Sequence, residues 1–301
     1  MNDYKTCFLK GNLKIRGNVR RTVRLALSLR RDAYPLFVSA GTTRTSEMKR
    51  LIRWAVVLMC WTCMSRADEA KDSGPLSFEM TADLYSAYVW RGMVINDEPV
   101  FQPGASASLS LGDYGSLGAA LWSNMDLTDR NGNVRGGGLN EIDYTLSYAL
   151  DVGPVSLEAG HIWYTFPVVN LGSTKEVYLS ASYNSEFVTP FVSLTYDYDL
   201  LEGFYANAGL SKEWAVAERL TLGAEVSLGA GDADYMAYVG ADDAGLMDVN
   251  AAVYASYAVT ESLSVGARLA WVSLLDSEAR DAETYWDEDL LWGGINVAVT
   301  F

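Results

Sequence analysis

After residue 67 this chain of 301 residues holds one histidine, His161, and no cysteine, since Cys7, Cys60 and Cys63 all precede that point. Hydrolysis by a Ser–His or Asp–His pair needs an imidazole that exchanges protons near neutral pH. His161 shares its phase with Val155, Leu157 and Ala159, so strict alternation sets it on the apolar side of its segment. A bulge near Gly160 would reverse that direction. Thiolate metal sites and disulfides are excluded past residue 67. Gly136, Gly137 and Gly138 lack the lysine and the helix of a phosphate-binding loop. No cofactor is expected, and enzyme chemistry does not find its residues here.

What remains is carboxylate. In segments of alternating polarity, Asp83, Asp143, Glu158, Glu176, Asp197 and Glu225 (with Glu79) fall on the polar side, and Arg91 and Arg268 are the clearest bases among them. A water-filled bore lined this way attracts cations and repels anions. The competing reading pairs Arg268 with neighbouring carboxylates and narrows the bore. Other acids, among them Asp126, Asp129, Asp232, Asp234, Asp242, Asp243, Asp248, Asp276, Glu283, Asp287 and Glu288, fall in connections. Solvation of a surface accounts for them. Bridging of divalent cations by hard oxygen ligands is the sharper alternative, although residues 231–234 lack the spacing of a calcium loop.

The elements that must position these groups repeat with period two. Ile142, Tyr144, Leu146, Tyr148 and Leu150 alternate with Asp143, Thr145, Ser147 and Ala149; Leu263, Val265, Ala267, Leu269 and Trp271 alternate with Ser264, Gly266, Arg268 and Ala270. There are 12 such runs, near residues 76–90, 101–111, 116–124, 141–150, 155–166, 176–183, 188–198, 204–212, 219–229, 248–257, 263–273 and 291–301. Short and long connections take turns between them. The pattern predicts an all-β fold, a transmembrane antiparallel β-barrel of about 12 strands with both termini in the periplasm. Counts of about 10 or 14 follow if the weak 116–124 run is mis-phased. A soluble β-sandwich alternates as well, but it does not account for the alternating connection lengths. Nor does it account for aromatics near run ends (Tyr88, Trp90, Trp163, Trp271, Trp292, Phe301), which suit an interfacial girdle. Phe301 closes the last run and is expected to serve as the C-terminal signal read by the barrel-assembly machinery. Inward rings (Tyr85, Trp122, Tyr164, Tyr178, Tyr205, Tyr254, Trp292) would fill part of the bore. Inward glycines (Gly209, Gly223, Gly266, Gly294) would free space or seat those rings.

Charge divides the chain at residue 67. Of 23 basic and 38 acidic residues in all, 14 and three lie up to that point, leaving nine and 35 beyond it. Residues 48–67 combine a basic start, an apolar core too short to span a bilayer and a small-residue cleavage site, and are expected to be a secretory signal peptide. Cleavage after Ala70 is an alternative. Residues 1–47 are expected to be an extension upstream of the true start at Met48. The acidic remainder, 68–301, is the barrel, and its charge speaks against nucleic acid as a partner.

Five short stretches carry a resemblance. Residues 82–93 end in Trp90-Arg91-Gly92, followed by Gln102-Pro103-Gly104; later come Glu141-Ile142-Asp143-Tyr144, then Trp163-Tyr164-Thr165-Phe166-Pro167, then Lys175-Glu176-Val177-Tyr178-Leu179. This order resembles the TorF family of outer-membrane porins. The acidic connections at 230–247 and 275–290 depart from that pattern. The resemblance implies a passive or weakly selective channel in the bacterial outer membrane. Together with the inward carboxylates it leads to an expected route for small cationic or neutral solutes, with outer-membrane lipid as the surrounding partner. A closed structural or display barrel, whose acidic loops bind a partner or divalent cations, is the alternative.

Overall fold

The computed structural model describes residues 74–129, 136–168, 172–282 and 289–301. The expected extension and signal peptide, 1–47 and 48–67, lie outside the described residues, as do Glu283, Asp287 and Glu288.

Twelve strands close into one antiparallel barrel. In chain order these are β1 (Leu76–Tyr85), β4 (Val100–Ser110), β5 (Ser116–Asp126), β6 (Leu139–Val152), β7 (Val155–Thr165) and β8 (Thr174–Tyr183). They continue with β9 (Thr189–Asp197), β10 (Phe204–Ala217), β11 (Leu220–Gly231), β12 (Gly245–Ala258), β13 (Leu263–Leu274) and β14 (Asp289–Thr300). Each pairs with its sequence neighbours in the barrel, and β14 closes the ring on β1 from Glu79↔Thr300 to Tyr85↔Gly294. Phe301 extends the seam: its amide donates to the Phe78 carbonyl at 2.9 Å, and the Phe78 amide donates back at 3.2 Å. The weak run at 116–124 is a full strand, paired on both sides.

The first run is shorter than its alternation predicts. β1 stops at Tyr85, and residues 88–90 leave the wall to form a hairpin, β2 (Tyr88–Trp90) and β3 (Met93–Asn96). The reason lies in its two-residue turn. Arg91 and Gly92 both take positive φ, +47° and +81°, as the turns that match strand twist require. Trp90-Arg91-Gly92 is therefore a hairpin tip, where the sequence pattern suggested the end of a wall strand. Connections also shorten elsewhere, because β10 runs on to Ala217 and β12 starts at Gly245. Two short helices, α1 (Ala233–Val239) and α2 (Ser277–Asp281), sit in the longer connections.

The exterior is greasy. Leu146, Leu179, Leu291, Ile295 and Val253 are among many large apolar side chains more than half exposed. At roughly 25 cal/mol per Å² such surface is unfavourable in water, and it matches hydrocarbon. Phe204 and Trp214, both exposed, mark the two edges on β10. Ten residues at about 3.3 Å each, tilted about 40°, give roughly 25 Å of height, the depth of an outer-membrane apolar band. Trp163 and Trp271 join the long-loop edge, and Tyr183 and Tyr257 the short-turn edge. Tyr88, Trp90 and Trp292 do not belong to this girdle. Tyr88 is 7% exposed inside the barrel, and Trp292 meets Tyr85 edge-on at 5.2 Å. Among the described residues no helix is long and apolar enough to cross a membrane.

A Cβ added to Gly92 would lie 2.2 Å from the Asp248 Cβ, on top of the unfavourable φ. Gly92→Val is expected to dislodge the hairpin tip. Limited trypsin digestion with mass spectrometry checks it: the wild-type chain resists cleavage after Arg91, and the variant is cut there.

Candidate functional site: the barrel interior

Inside the barrel the short-turn and long-loop ends differ. Toward the short turns the lumen holds small and hydroxylated side chains. A hollow of about 340 Å³ there is lined by Asp151, Ser156, Glu158, Ser180, Ser182 and Phe191, with neighbouring wall residues. Rings lie over the glycines of the same inner face. Tyr178 lies against Gly160, Tyr254 against Gly223, Phe191 against Gly209 and Tyr85 against Gly294, each within 2.6 Å of where a Cβ would stand. The absent side chains leave room for the neighbouring rings, as aromatic rescue of strand glycines does. Gly266 instead faces Asn296.

Toward the long loops the barrel is filled. Met93 of the hairpin, Tyr205 of β10, Tyr235, Met236 and Val239 of α1, Met247 of β12, Leu274 of β13 and Ala279 of α2 form one buried apolar cluster. Local capping sets both helices in place. Asp232 accepts from the Tyr235 amide at 2.9 Å, and Asp276 from the Glu278 and Ala279 amides at 2.9 and 3.0 Å, which satisfies donors that a helix start leaves free.

The hairpin tip carries Arg91 into this interior. Its Nη1 and Nη2 donate to the two carboxylate oxygens of Glu176 at 2.8 and 2.6 Å. The guanidinium carbon lies 4.4 Å from the Trp90 ring centre and 4.9 Å from that of Tyr205. Tyr164 donates to Glu176 as well, at 2.8 Å. The pair is dry: the Arg91 side chain is 12% exposed and that of Glu176 1%. A bidentate, desolvated pair of this kind is specific in geometry, and removal of one partner strands the other. Tyr235, outside the wall, reaches the same guanidinium at 3.4 Å; burial raises its phenol above the ordinary value, against the lowering pull of Arg91. Tyr88 is held protonated in the same way, by burial first and then by the Glu141 and Asp143 carboxylates.

The remaining residues singled out by alternation are scattered. Asp197 is 1% exposed and works locally: it accepts from the amides of Asp199, Leu200 and Leu201 at 2.9–3.2 Å and from Thr174 at 2.6 Å. Glu225 and Arg268 meet at 3.6 Å, each about one-third exposed. Glu158 accepts from Tyr178 beside the short-turn hollow. Asp83 stands opposite Gln102 and Asn296. Asp143 lies between Trp122 and Tyr164 in register. His161 has no bulge beside it, as β7 pairs without a break from residue 155 to 165. It stays on the outer face and shares a hydrogen bond with Tyr198 at 2.8 Å.

Alternation missed several interior groups. Asp126 and Asp248, assigned to loops by their surroundings, end or enter strands and are fully buried. Asp248 accepts from Tyr205 at 3.0 Å and from Asn250 at 2.5 Å. Asn124 accepts from Gln102 and donates to both Asp126 and Asn140. Glu141 shares the Asp143 face, and its place two residues before Asp143 on a strand was the available signal. Among the described residues no three His, Cys, Asp or Glu side chains gather as a metal site.

The chain belongs to a family described as a bacterial protein of unknown function, Gcw_chp, whose model matches residues 69–286. That description does not carry the TorF name. No curated protein matches the sequence. Three solved structures are similar in part. The NanC porin has 13% identity, covering 74% of this chain and 98% of that one, with a TM-score of 0.44. An outer membrane channel from Pseudomonas putida F1 has 12% identity, with 77% and 98% coverage and a TM-score of 0.47. The KdgM porin in complex with disordered oligogalacturonate has 12% identity, with 75% and 99% coverage and a TM-score of 0.43. Values this low say nothing about what this barrel carries.

Glu176→Gln leaves Arg91 buried beside a neutral amide. The folded barrel is expected to lose roughly 3–5 kcal/mol, measured as the shift in urea unfolding in lipid vesicles. Glu225→Gln, at a wetter pair, is expected to lose roughly 1 kcal/mol or less.

Proposed function

We propose that this barrel is a narrow diffusion channel of a bacterial outer membrane, passing small cationic or neutral solutes. Its termini face the periplasm, and its C-terminal strand, ending in Phe301, is the segment that the assembly machinery reads. The resemblance of its short motifs to those of TorF porins agrees with this reading.

One observation carries the proposal: the inner face holds far more carboxylate than cation, and its cations are already engaged. Arg91 is bound to Glu176 and Arg268 faces Glu225, which leaves Asp83, Asp143 and Glu158 without a lysine or arginine partner among the described residues. A low-dielectric wall concentrates that field within the bore. A cation entering from water finds attraction throughout, and an anion finds none. Glu158, Asp151 and the serines of the short-turn hollow supply oxygen acceptors for a partly dehydrated cation. The hairpin and its Arg91 latch set the constriction. No catalysis or cofactor is involved.

A second reading has its own support. The dry cluster of hairpin, α1 and α2 suits a barrel closed at its long-loop end, one that displays acidic loops and passes nothing.

Planar-bilayer recordings separate the two. A channel shows cation-over-anion selectivity that falls at high salt, where screening shortens to roughly 3 Å at 1 M. Asp143→Asn with Glu225→Gln lowers that selectivity. Arg91→Gln releases the latch and raises cation conductance several-fold. Anion preference, or silence from a correctly folded barrel, would overturn the channel reading, and silence favours the closed barrel.

A further inference from the structure

One wall carboxylate has a buried oxygen without a donor. Asp143 in β6 is 9% exposed, and its Oδ1 has no hydrogen-bond partner among the described residues. The deep guanidinium does not serve it, since Arg91 is committed to Glu176 through both terminal nitrogens. What surrounds Asp143 is aromatic. Trp122 of β5 and Tyr164 of β7 stand directly opposite it in register, so the three share the inner face, with the Cβ of each ring roughly 4.5–5.5 Å from that of Asp143. The hairpin adds two more rings: Tyr88 packs on Trp122 at 5.6 Å between centres and Trp90 on Tyr164 at 6.0 Å. Glu141 lies two residues back on the same strand face.

This combination selects a chemistry. A buried carboxylate oxygen with no donor is costly, and ring faces offer it no hydrogen. Ring faces do attract cations, through their quadrupole. A ligand that brings both positive charge and N–H donors answers both features at once. Hard metal ions are a poorer fit, since they require several oxygen ligands and no three acidic or histidine side chains gather as a metal site among the described residues.

We propose that Asp143, with Trp122 and Tyr164 on the wall and Tyr88 and Trp90 on the hairpin, forms a binding site for a protonated organic amine. The proposal rests on the channel reading and names its solute class. The ammonium N–H groups donate to Asp143, and its alkyl part lies among the four rings. Two of those rings belong to β2, outside the barrel sheet.

Calorimetric titration of the folded full-length barrel in detergent with ethylammonium chloride tests the site, with sodium chloride at equal ionic strength as the control. Saturable binding is expected, weakened at least tenfold by Asp143→Asn and by Trp122→Leu and largely kept by Asp143→Glu. No saturable heat beyond the sodium control, or equal affinity in Asp143→Asn, overturns the proposal. If Asp143→Asn loses the heat-modifiable migration of a folded barrel, Trp122→Leu decides, and unchanged affinity there overturns it. Bilayer recordings on the same preparations keep the two readings apart. A barrel that binds the amine yet conducts nothing removes the channel and leaves the site. One that conducts cations without binding removes the site and leaves the channel.

Discussion

A peptide backbone in hydrocarbon has no water to bond with, so its amides and carbonyls must satisfy one another. For a sheet this means closure, because an open edge exposes a row of unpaired groups. The seam between β1 and β14, extended by the Phe78–Phe301 exchange, is therefore the contact on which the remainder depends. Once the ring is closed, alternate side chains are committed to opposite environments. Leucines, valines and isoleucines face lipid, and the carboxylates are left to line the bore.

Closure at twelve strands creates a second problem. Such a cylinder is wider than an eight-stranded barrel, whose own side chains fill it, and narrower than an open porin. The chain solves the long-loop half by inserting backbone. The β2–β3 hairpin turns inward, and α1 and α2 cover it with methionine, valine and tyrosine. The short-turn half is left less filled, with serines, glycines and rings seated over the glycines. The two halves of one wall are thus packed differently.

The inserted hairpin also sets the electrostatics. Without Arg91 the Glu176 carboxylate would be buried beside only a tyrosine hydroxyl. With it, one of several buried acids is matched and the hairpin is latched. The others find separate solutions: Asp197 holds a turn, Asp248 receives Tyr205 and Asn250, and Asp143 keeps an unfilled acceptor among rings. That difference in partners, more than the number of acids, separates the carboxylates that hold the fold together from the one with an open acceptor.

Much of this was legible in local pattern. Alternation located the twelve wall strands, placed Asp143, Glu176 and Arg268 on the inner face and put His161 outside, because the period-two disposition of side chains is a property of the backbone alone. It failed where the chain kept alternating but left the wall. Residues 88–90 read as a continuation of β1, and nothing nearby announces that Arg91 meets Glu176, 85 positions away. It failed again at Asp126 and Asp248, whose acidic surroundings look like loop yet are buried. The linear chain determined the barrel, its facing and its acidity. Only the folded ring decided which charges pair, which rings surround Asp143 and how far the bore is filled, because those contacts join segments whose separation in sequence carries no local signal.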